Sequence, residues 1–292
     1  NYALFCTRKD HLPLYFDVFE GNRHDSKEFG TVIERFFEAF EHKKPADGGM
    51  TIVFDKGNNS YENVNKFVSE CNYHFVGSVK PDDHKNLTLI SNNDKRFTEF
   101  SDPRLEEVKA FRTKKEIYGK ELTVVVTFNT NLYTSQLKSI NNEMNKCFDK
   151  LAEIGTKLHD RSAGRITKGK KPTVTSVKTQ IASILSGQYM KKLITTTVSE
   201  LNDVPVLSYS LNSQAYSELA DTYLGKNLII TDNHHWTTED IILTYRSQYI
   251  IEDTFKQMKD RKIGSWWPMF HWTDQKIKVH GLYCTLALLL RA

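Results

Sequence analysis

Residues 50–57 read Met50-Thr-Ile-Val-Phe-Asp-Lys-Gly57, and this stretch decides the class of fold that the chain adopts. Its first five residues form a short run of apolar and β-branched side chains, which is typical of a strand covered on both faces. Asp55 follows the run, and Gly57 lets the backbone turn sharply beside it. The stretch therefore predicts an α/β protein with an acidic side chain at the rim of its sheet, where such folds place their chemistry. The alternative is an Asp that only shapes a local turn with Lys56.

The residues that flank this strand predict a continuous α/β block. Alternating side chains predict a hairpin over residues 1–20, and a helix that begins at Asp25 buries a face rich in phenylalanine. A second helix begins at Ser60, and residues 73–79 predict another strand. Residues 1–80 therefore read β-β-α-β-α-β.

The middle of the chain has a different pattern. A second hairpin is predicted around Gly119, and residues 131–160 predict one long helix with an apolar residue at every third or fourth position. Such a stripe suits a coiled coil, but packing within its own domain is the more common case, and we favour it.

The composition excludes several classes of protein. Apolar residues make up 39% of the 292 residues, which is enough for a core and excludes disorder throughout. The four cysteines form no CxxC pair, as a zinc ribbon would need, and are too sparse for a disulfide scaffold. The longest uncharged apolar stretch, residues 281–290, is too short to span a bilayer, and no signal peptide opens the chain. We therefore expect a soluble, cytoplasmic protein, whose net charge of +4 allows a polyanionic partner without proving one.

Both ends of the sequence look cut. The chain begins without Met and enters a strand-like run at Tyr2, and it stops at Ala292 within an apolar helix that has no cap. We interpret the sequence as an internal fragment of a longer protein.

One face of a predicted helix over residues 238–262 is rich in polar and charged side chains. Counted at about 100° per residue, four side chains fall within about 40° of the direction of Glu252, so that five side chains share this face. They are Tyr245, Gln248, Glu252, Lys256 and Lys259. A solvated face with an ordinary i,i+4 ion pair between Glu252 and Lys256 explains part of this pattern. It does not explain why a tyrosine and a lysine mark the two ends of the face.

The spacing of Tyr245, Glu252 and Lys259 resembles the signature Y-x2-R-x3-E-x6-K of DDE transposases from bacterial insertion sequences. The match is to the Y-REK branch, the insertion-sequence-four superfamily. Gln248 occupies the position of the arginine, and Arg246 lies two residues earlier. Other stretches that resemble the same family are residues 21–25, 52–57, 227–242 and 276–281.

The resemblance implies an α/β fold with a ribonuclease H-like core. A large mixed α/β insertion, residues 89–236, would lie between the strand region of the second catalytic aspartate and the glutamate helix. Residues 1–88 and 237–292 would then form the core. Asp55 and Glu252 would be catalytic residues that bind two Mg²⁺ ions, with Mn²⁺ as an alternative. The first aspartate of the family would lie upstream of Asn1, and neither Asp10 nor Asp17 is in a position to replace it.

The resemblance also implies partners and a reaction. The side chains expected to contact DNA are Tyr245, Arg246, Gln248, Lys256 and Lys259. The partners would be double-stranded DNA, as terminal inverted repeats and target, and a second copy of the chain in a homodimer on that DNA. We expect cut-and-paste transposition, associated with the nucleoid of a bacterium or archaeon. The alternatives are a catalytically inactive DNA-binding relic and a nuclease without strand transfer.

Two further features of the sequence each allow two interpretations. Residues 161–171 contain five basic residues, which suit either a solvated linker or a loop that contacts phosphates. Trp266, Trp267 and Trp272 suit packing within the core, which we favour, or stacking on unpaired bases.

Overall fold

The computed structural model describes residues 1–21, 25–40, 49–66, 73–263, 266–267 and 269–292, without the side chains of residues 25–27. The chain divides into two compact units. The first unit comprises residues 1–84, 98–127 and 227–292, and the second comprises residues 85–97 and 128–226.

The strands and helices of the described residues follow in chain order. The strands are β1 (Tyr2–Cys6), β2 (Pro13–Val18), β3 (Thr51–Val53), β4 (His74–Val79), β5 (Thr98–Glu99), β6 (Val108–Ile117), β7 (Lys120–Asn129), β8 (Ile194–Leu201), β9 (Val204–Leu211) and β10 (Lys226–Thr231). The helices are α1 (Asp25–Phe40), α2 (Tyr61–Asn65), α3 (Lys85–Thr88), α4 (Thr130–Ser162), α5 (Val174–Ile184), α6 (Met190–Leu193), α7 (Ser213–Thr222), α8 (Thr238–Arg246), α9 (Tyr249–Lys259) and α10 (Asp274–Leu289).

The first unit contains a hairpin and a mixed sheet. β1 and β2 form the antiparallel hairpin that the sequence predicts. The sheet has the strand order β3-β4-β10-β7-β6-β5, in which β3 and β4 are parallel while β10 is antiparallel to β4. The β-β-α-β-α-β order predicted for residues 1–80 is confirmed in its described part. The sequence also predicts that Asp25 caps the first helix and that Phe67, Val68 and Cys71 face inward from the second, and these details lie outside the described residues and side chains.

The boundaries of the two units differ from the predicted insertion of residues 89–236. Residues 98–127 and 227–236 belong to the first unit, because β6, β7 and β10 pair into the same sheet as β3 and β4. β10 carries three consecutive buried residues from Leu228 to Ile230, as expected of a central strand that is covered on both faces.

The second unit is built around α4. Met144, Cys147, Leu151 and Leu158 on this helix are buried in one cluster with residues of α5, α6 and α7. The apolar stripe is therefore covered within its own unit, which confirms packing rather than a coiled coil.

The tryptophans divide between the two interpretations. The Trp266 ring lies 4.8 Å from the ring of Tyr2, in a small apolar cluster of the first unit. Trp267 and Trp272, by contrast, are 64% and 95% exposed, so the preferred packing role is wrong for these two. Among the described residues, no helix combines the length and the apolar character needed to cross a membrane.

Candidate active site

A cleft of about 1060 Å³ lies between β1 and β3 of the first unit. Among the described residues, β1 pairs only with β2, and β3 is the edge strand of the mixed sheet. The cleft is lined by residues 1–8 along β1 and by residues 50–55 along β3. Successive side chains of a strand point to opposite faces, so a cavity that meets every residue of a strand lies along its edge. The cleft therefore lies between two open sheet edges.

Helices cover the hairpin side of the cleft on both faces. The Phe5 ring stacks on the Phe36 ring of α1, with 4.3 Å between the ring centroids. Leu4, the preceding residue of β1, is buried together with Met258 of α9. Because neighbouring residues of a strand face opposite ways, α1 and α9 lie on opposite faces of β1.

The β3 side of the cleft has the same arrangement. The rings of Phe54 and Phe29 of α1 lie 5.1 Å apart. Val53, which points to the other face, packs against the cluster that contains Ile241 of α8. A segment between the two strands would therefore be enclosed by α1 on one face and by the α8–α9 region on the other.

Asp55 and Glu252 both line this cleft, although they come from distant parts of the chain. Asp55 lies two residues beyond the end of β3 and caps a short 3₁₀ turn, since its Oδ1 accepts a hydrogen bond of 2.7 Å from the backbone N–H of Lys56. The local turn is thus real, and it also fixes the carboxylate at the rim of the sheet. Glu252 lies on α9 and is exposed.

The helix predicted over residues 238–262 is two helices. The regular ladder of hydrogen bonds is interrupted between α8 and α9, where Gln248 N–H bonds to the Tyr245 carbonyl and Ile250 N–H to the Ser247 carbonyl. The Ser247 hydroxyl also donates to the Thr244 carbonyl, a contact of the kind that competes with helical bonds. The prediction of one unbroken helix is therefore wrong, and angles counted from Glu252 no longer fix the direction of Tyr245.

Tyr245 and Arg246, on the far side of the break, make contacts within the first unit. The Tyr245 phenol lies 2.7 Å from the Ser78 hydroxyl of β4. Arg246 donates 2.6 Å to the Arg104 carbonyl and pairs with Glu107 at 2.7 Å. Both side chains thus join α8 to neighbouring elements, and their contacts with DNA stay predictions.

The polar residues of α9 separate into two groups. Gln248, at the start of this helix, and Lys259 line the cleft together with Glu252, whereas Lys256 does not. The ion pair expected between Glu252 and Lys256 is not formed, and both side chains are exposed. Gln248 Nε2 is buried and has no hydrogen-bond partner among the described residues. A buried donor that lacks a hydrogen-bond partner costs about 1–3 kcal/mol.

The oxygen donors in the cleft suit a divalent metal ion, but the set is incomplete. Mg²⁺ prefers carboxylate oxygens, which Asp55 and Glu252 supply. Within the described part of the chain, no three His, Cys, Asp or Glu side chains group closely enough to hold a metal ion. Asp17 does not complete the set, because it pairs with Arg35 at 2.6 Å and does not line the cleft.

One polar residue of the cleft was missed from the sequence. Arg8, in the turn of the first hairpin, lines the cleft and donates 2.6 Å to the Thr244 hydroxyl of α8. The position of Arg8 depends on a contact between distant segments, so no local sequence pattern predicts that it lines the cleft.

Comparison with known proteins gives one positive result. A family model described as the transposase DDE domain matches residues 3–290. No match is found among curated proteins or among solved structures. Since the matched residues span nearly the whole chain, the protein belongs to the transposase DDE domain family.

Proposed function

We propose that the protein is the catalytic domain of a transposase that cleaves transposon-end DNA and joins it to target DNA. The family implies a DNA substrate, a role related to transposition, phosphoryl transfer on nucleic acid and, in general, the use of divalent metal ions. The observation that carries the proposal for this chain is that Asp55 and Glu252 line one cleft.

The residues of the cleft have distinct proposed roles. Asp55 and Glu252 hold the divalent ions through their carboxylate oxygens. Such ions, when bound, lower the pKa of an attacking water or 3′-hydroxyl and stabilise the leaving oxygen. Lys259, which shares the cleft with both acids, binds a phosphate of the DNA end. Gln248 Nε2, the unpartnered donor, hydrogen-bonds an acceptor that enters the cleft.

A third carboxylate is part of the proposal. The open edges of β1 and β3 suit one extended segment that pairs with both strands. Because helices cover both faces, this segment is apolar over most of its length. It carries one acidic residue at the end beside Asp55. We place this segment upstream of Asn1, because Asn1 itself lines the cleft and a tight turn there would return the chain along β1.

The assignment to the insertion-sequence-four branch, with two Mg²⁺ ions, cut-and-paste transfer and a homodimer on DNA, is the finer part of the proposal. Tyr245, Glu252 and Lys259 keep the spacing of that branch, while Gln248 stands where it has arginine. The role of the signature arginine is then either absent from this protein or filled by a residue outside this helix.

The test is strand nicking of an inverted-repeat duplex with and without Mg²⁺. Two proteins are compared, the 292-residue chain and the same chain extended by its own upstream residues. We expect nicking only by the extended protein, and its loss in Asp55→Asn and in Glu252→Gln. Asp253→Asn is the matched control, because this acid is the next residue of α9, contacts Gln257 and does not line the cleft.

The other outcomes each identify a different protein. Nicking by the 292-residue chain alone would contradict the missing carboxylate. An extended protein that binds DNA without nicking it would be the inactive relic, and nicking without strand transfer would indicate a nuclease.

A further inference from the structure

We propose that residues 157–178 of the second unit form a docking surface for the phosphate backbone of double-stranded DNA. We call it the basic segment. The identification of the polyanion as DNA rests on the proposed function, whereas the surface itself is argued from charge, exposure and local geometry.

The basic segment carries more charge than the whole chain. It contains seven basic residues and one acidic residue, for a net charge of +6, whereas the complete chain has +4. The basic residues are Lys157, Arg161, Arg165, Lys168, Lys170, Lys171 and Lys178. The remainder of the protein is therefore slightly acidic, and its basic character comes from this one place.

Little of this charge is neutralised within the protein. Asp160, the only acid of the segment, pairs with Arg165 at 3.3 Å. The five lysines are all exposed, and none forms an ion pair in the part of the chain that the structure describes. Seven cations with one anion repel one another, so this arrangement does not stabilise the folded unit by itself.

The loop is folded back, which concentrates the charges. The Arg161 guanidinium donates 2.9 Å to the Lys168 carbonyl and closes the loop between α4 and α5. Gly164 and Gly169 have φ angles of +72° and +90°, which the turns at the two ends of this closure require. A solvated linker would be exposed too, but it would not need this closed form.

Both ends of the basic segment are anchored. Leu158 of α4 and Val177 of α5 are buried in the core of the second unit. Thr173 caps α5, and its hydroxyl and the Ser176 hydroxyl form a reciprocal capping box. Lys170 and Lys171 precede the amino end of α5, whose helix dipole is positive there and opposes further positive charge. Helix stability therefore does not explain these two lysines, whereas an anionic partner does.

The chemistry of the basic segment favours duplex DNA over other polyanions. Residues 157–178 contain no Phe, Tyr or Trp, so the segment lacks large aromatic platforms for stacking on unpaired bases. Its only exposed large apolar side chain is Ile166, which is too little to insert into a membrane surface. Contacts of lysine and arginine with the regularly spaced phosphates are independent of the base sequence. The segment thus adds affinity for DNA without choosing the sequence.

The test compares two triple variants of the longest available form of the protein. Lys168→Gln, Lys170→Gln and Lys171→Gln are changed together in the basic segment. Lys138→Gln, Lys146→Gln and Lys150→Gln are the matched control, since these three are exposed lysines of α4 in the same unit. Binding to a fluorescent duplex of random sequence is followed by anisotropy, without divalent metal, over a series of salt concentrations.

We expect the salt slope of log Kd to fall by about 2–3 in the basic-segment variant, because each phosphate contact contributes about 0.9. The control variant should keep the wild-type slope to within about half a unit. Equal losses in both variants would overturn the proposal, because net charge alone would then govern binding. An unchanged salt slope in the basic-segment variant would also overturn the proposal. So would a variant that loses binding to anionic lipid vesicles but keeps its binding to the duplex.

This outcome is separable from that of the proposed function. In one outcome, binding to the duplex depends on the basic segment while no form of the protein nicks DNA. That result would support the docking surface and contradict the catalytic proposal. If the basic-segment variant instead keeps the wild-type salt slope while the protein nicks DNA, the docking surface is excluded and the catalytic proposal is kept.

Discussion

The phenol of Tyr245 lies 2.7 Å from the hydroxyl of Ser78, and this contact fastens α8 to β4 of the mixed sheet. The same tyrosine begins the sequence signature that leads to Glu252 and Lys259 on the next helix. A residue expected to contact DNA thus holds part of the fold that positions the cleft.

Tyr245→Phe should lower the free energy of unfolding by about 0.5–1.5 kcal/mol, the usual contribution of one hydrogen bond. The ring stays in place, so packing against the sheet is kept. Urea unfolding measures the change, and Tyr249→Phe, which alters an exposed tyrosine of α9, is the control. Loss of DNA affinity with no loss of stability would instead assign Tyr245 to the DNA.

Lys259→Ala should reduce the salt slope of binding to transposon-end DNA by about one unit, because it removes one phosphate contact in the cleft. Lys256→Ala should change the slope little, since Lys256 is exposed on the same helix but does not line the cleft. Salt titrations of both variants give the comparison. Equal and negligible effects would make this side of α9 an ordinary solvated face.

The amide hydrogens along the open edges of β1 and β3 should exchange rapidly in the 292-residue chain. They should be protected in the chain extended upstream, because a strand in the cleft would accept their hydrogen bonds. Hydrogen exchange with mass spectrometry measures both, and the peptide that covers the β6–β7 hairpin is an internal control. Unchanged exchange in the extended protein would exclude a strand from the cleft.

Lys226 should make stability depend on pH in the alkaline range. Burial lowers the pKa of Lys226 to about 8, and its ammonium donates to the carbonyls of Thr88 and Ile90. Between that value and the ordinary value of 10.5, the unfolded chain carries a proton that the folded chain has lost. Stability therefore rises with pH across this window.

The measurement is the free energy of unfolding at pH 8 and pH 10 in the wild type and in Lys226→Met. The wild type should gain stability relative to the variant between the two values, because the variant has no group that titrates at this position. A difference between the two proteins that does not change with pH would place the Lys226 titration outside this range.

Local sequence determined the elements whose geometry depends on neighbouring residues. Tyr118 and Gly119, with φ angles of +54° and +71°, form the two-residue turn that the sequence places between β6 and β7. Ser60 caps α2 through the Asn63 N–H, and the apolar stripe of α4 follows from its spacing alone. Asp55 and Glu252 could also be identified from the sequence. Asp55 follows a predicted strand, and Glu252 lies at a signature spacing from Tyr245 and Lys259.

Only the tertiary structure decided how distant segments meet. The place of β10 between β4 and β7, the open edges on the two sides of the cleft and the contact of Arg8 with Thr244 all join residues far apart in sequence. No Pro or Gly lies at the break after Arg246, so the local sequence does not predict it. At this point α8 is hydrogen-bonded to the sheet, whereas α9 packs against β1. Periodicity describes one helix at a time, so it cannot show that Tyr245 bonds to β4 while Glu252 lines the cleft.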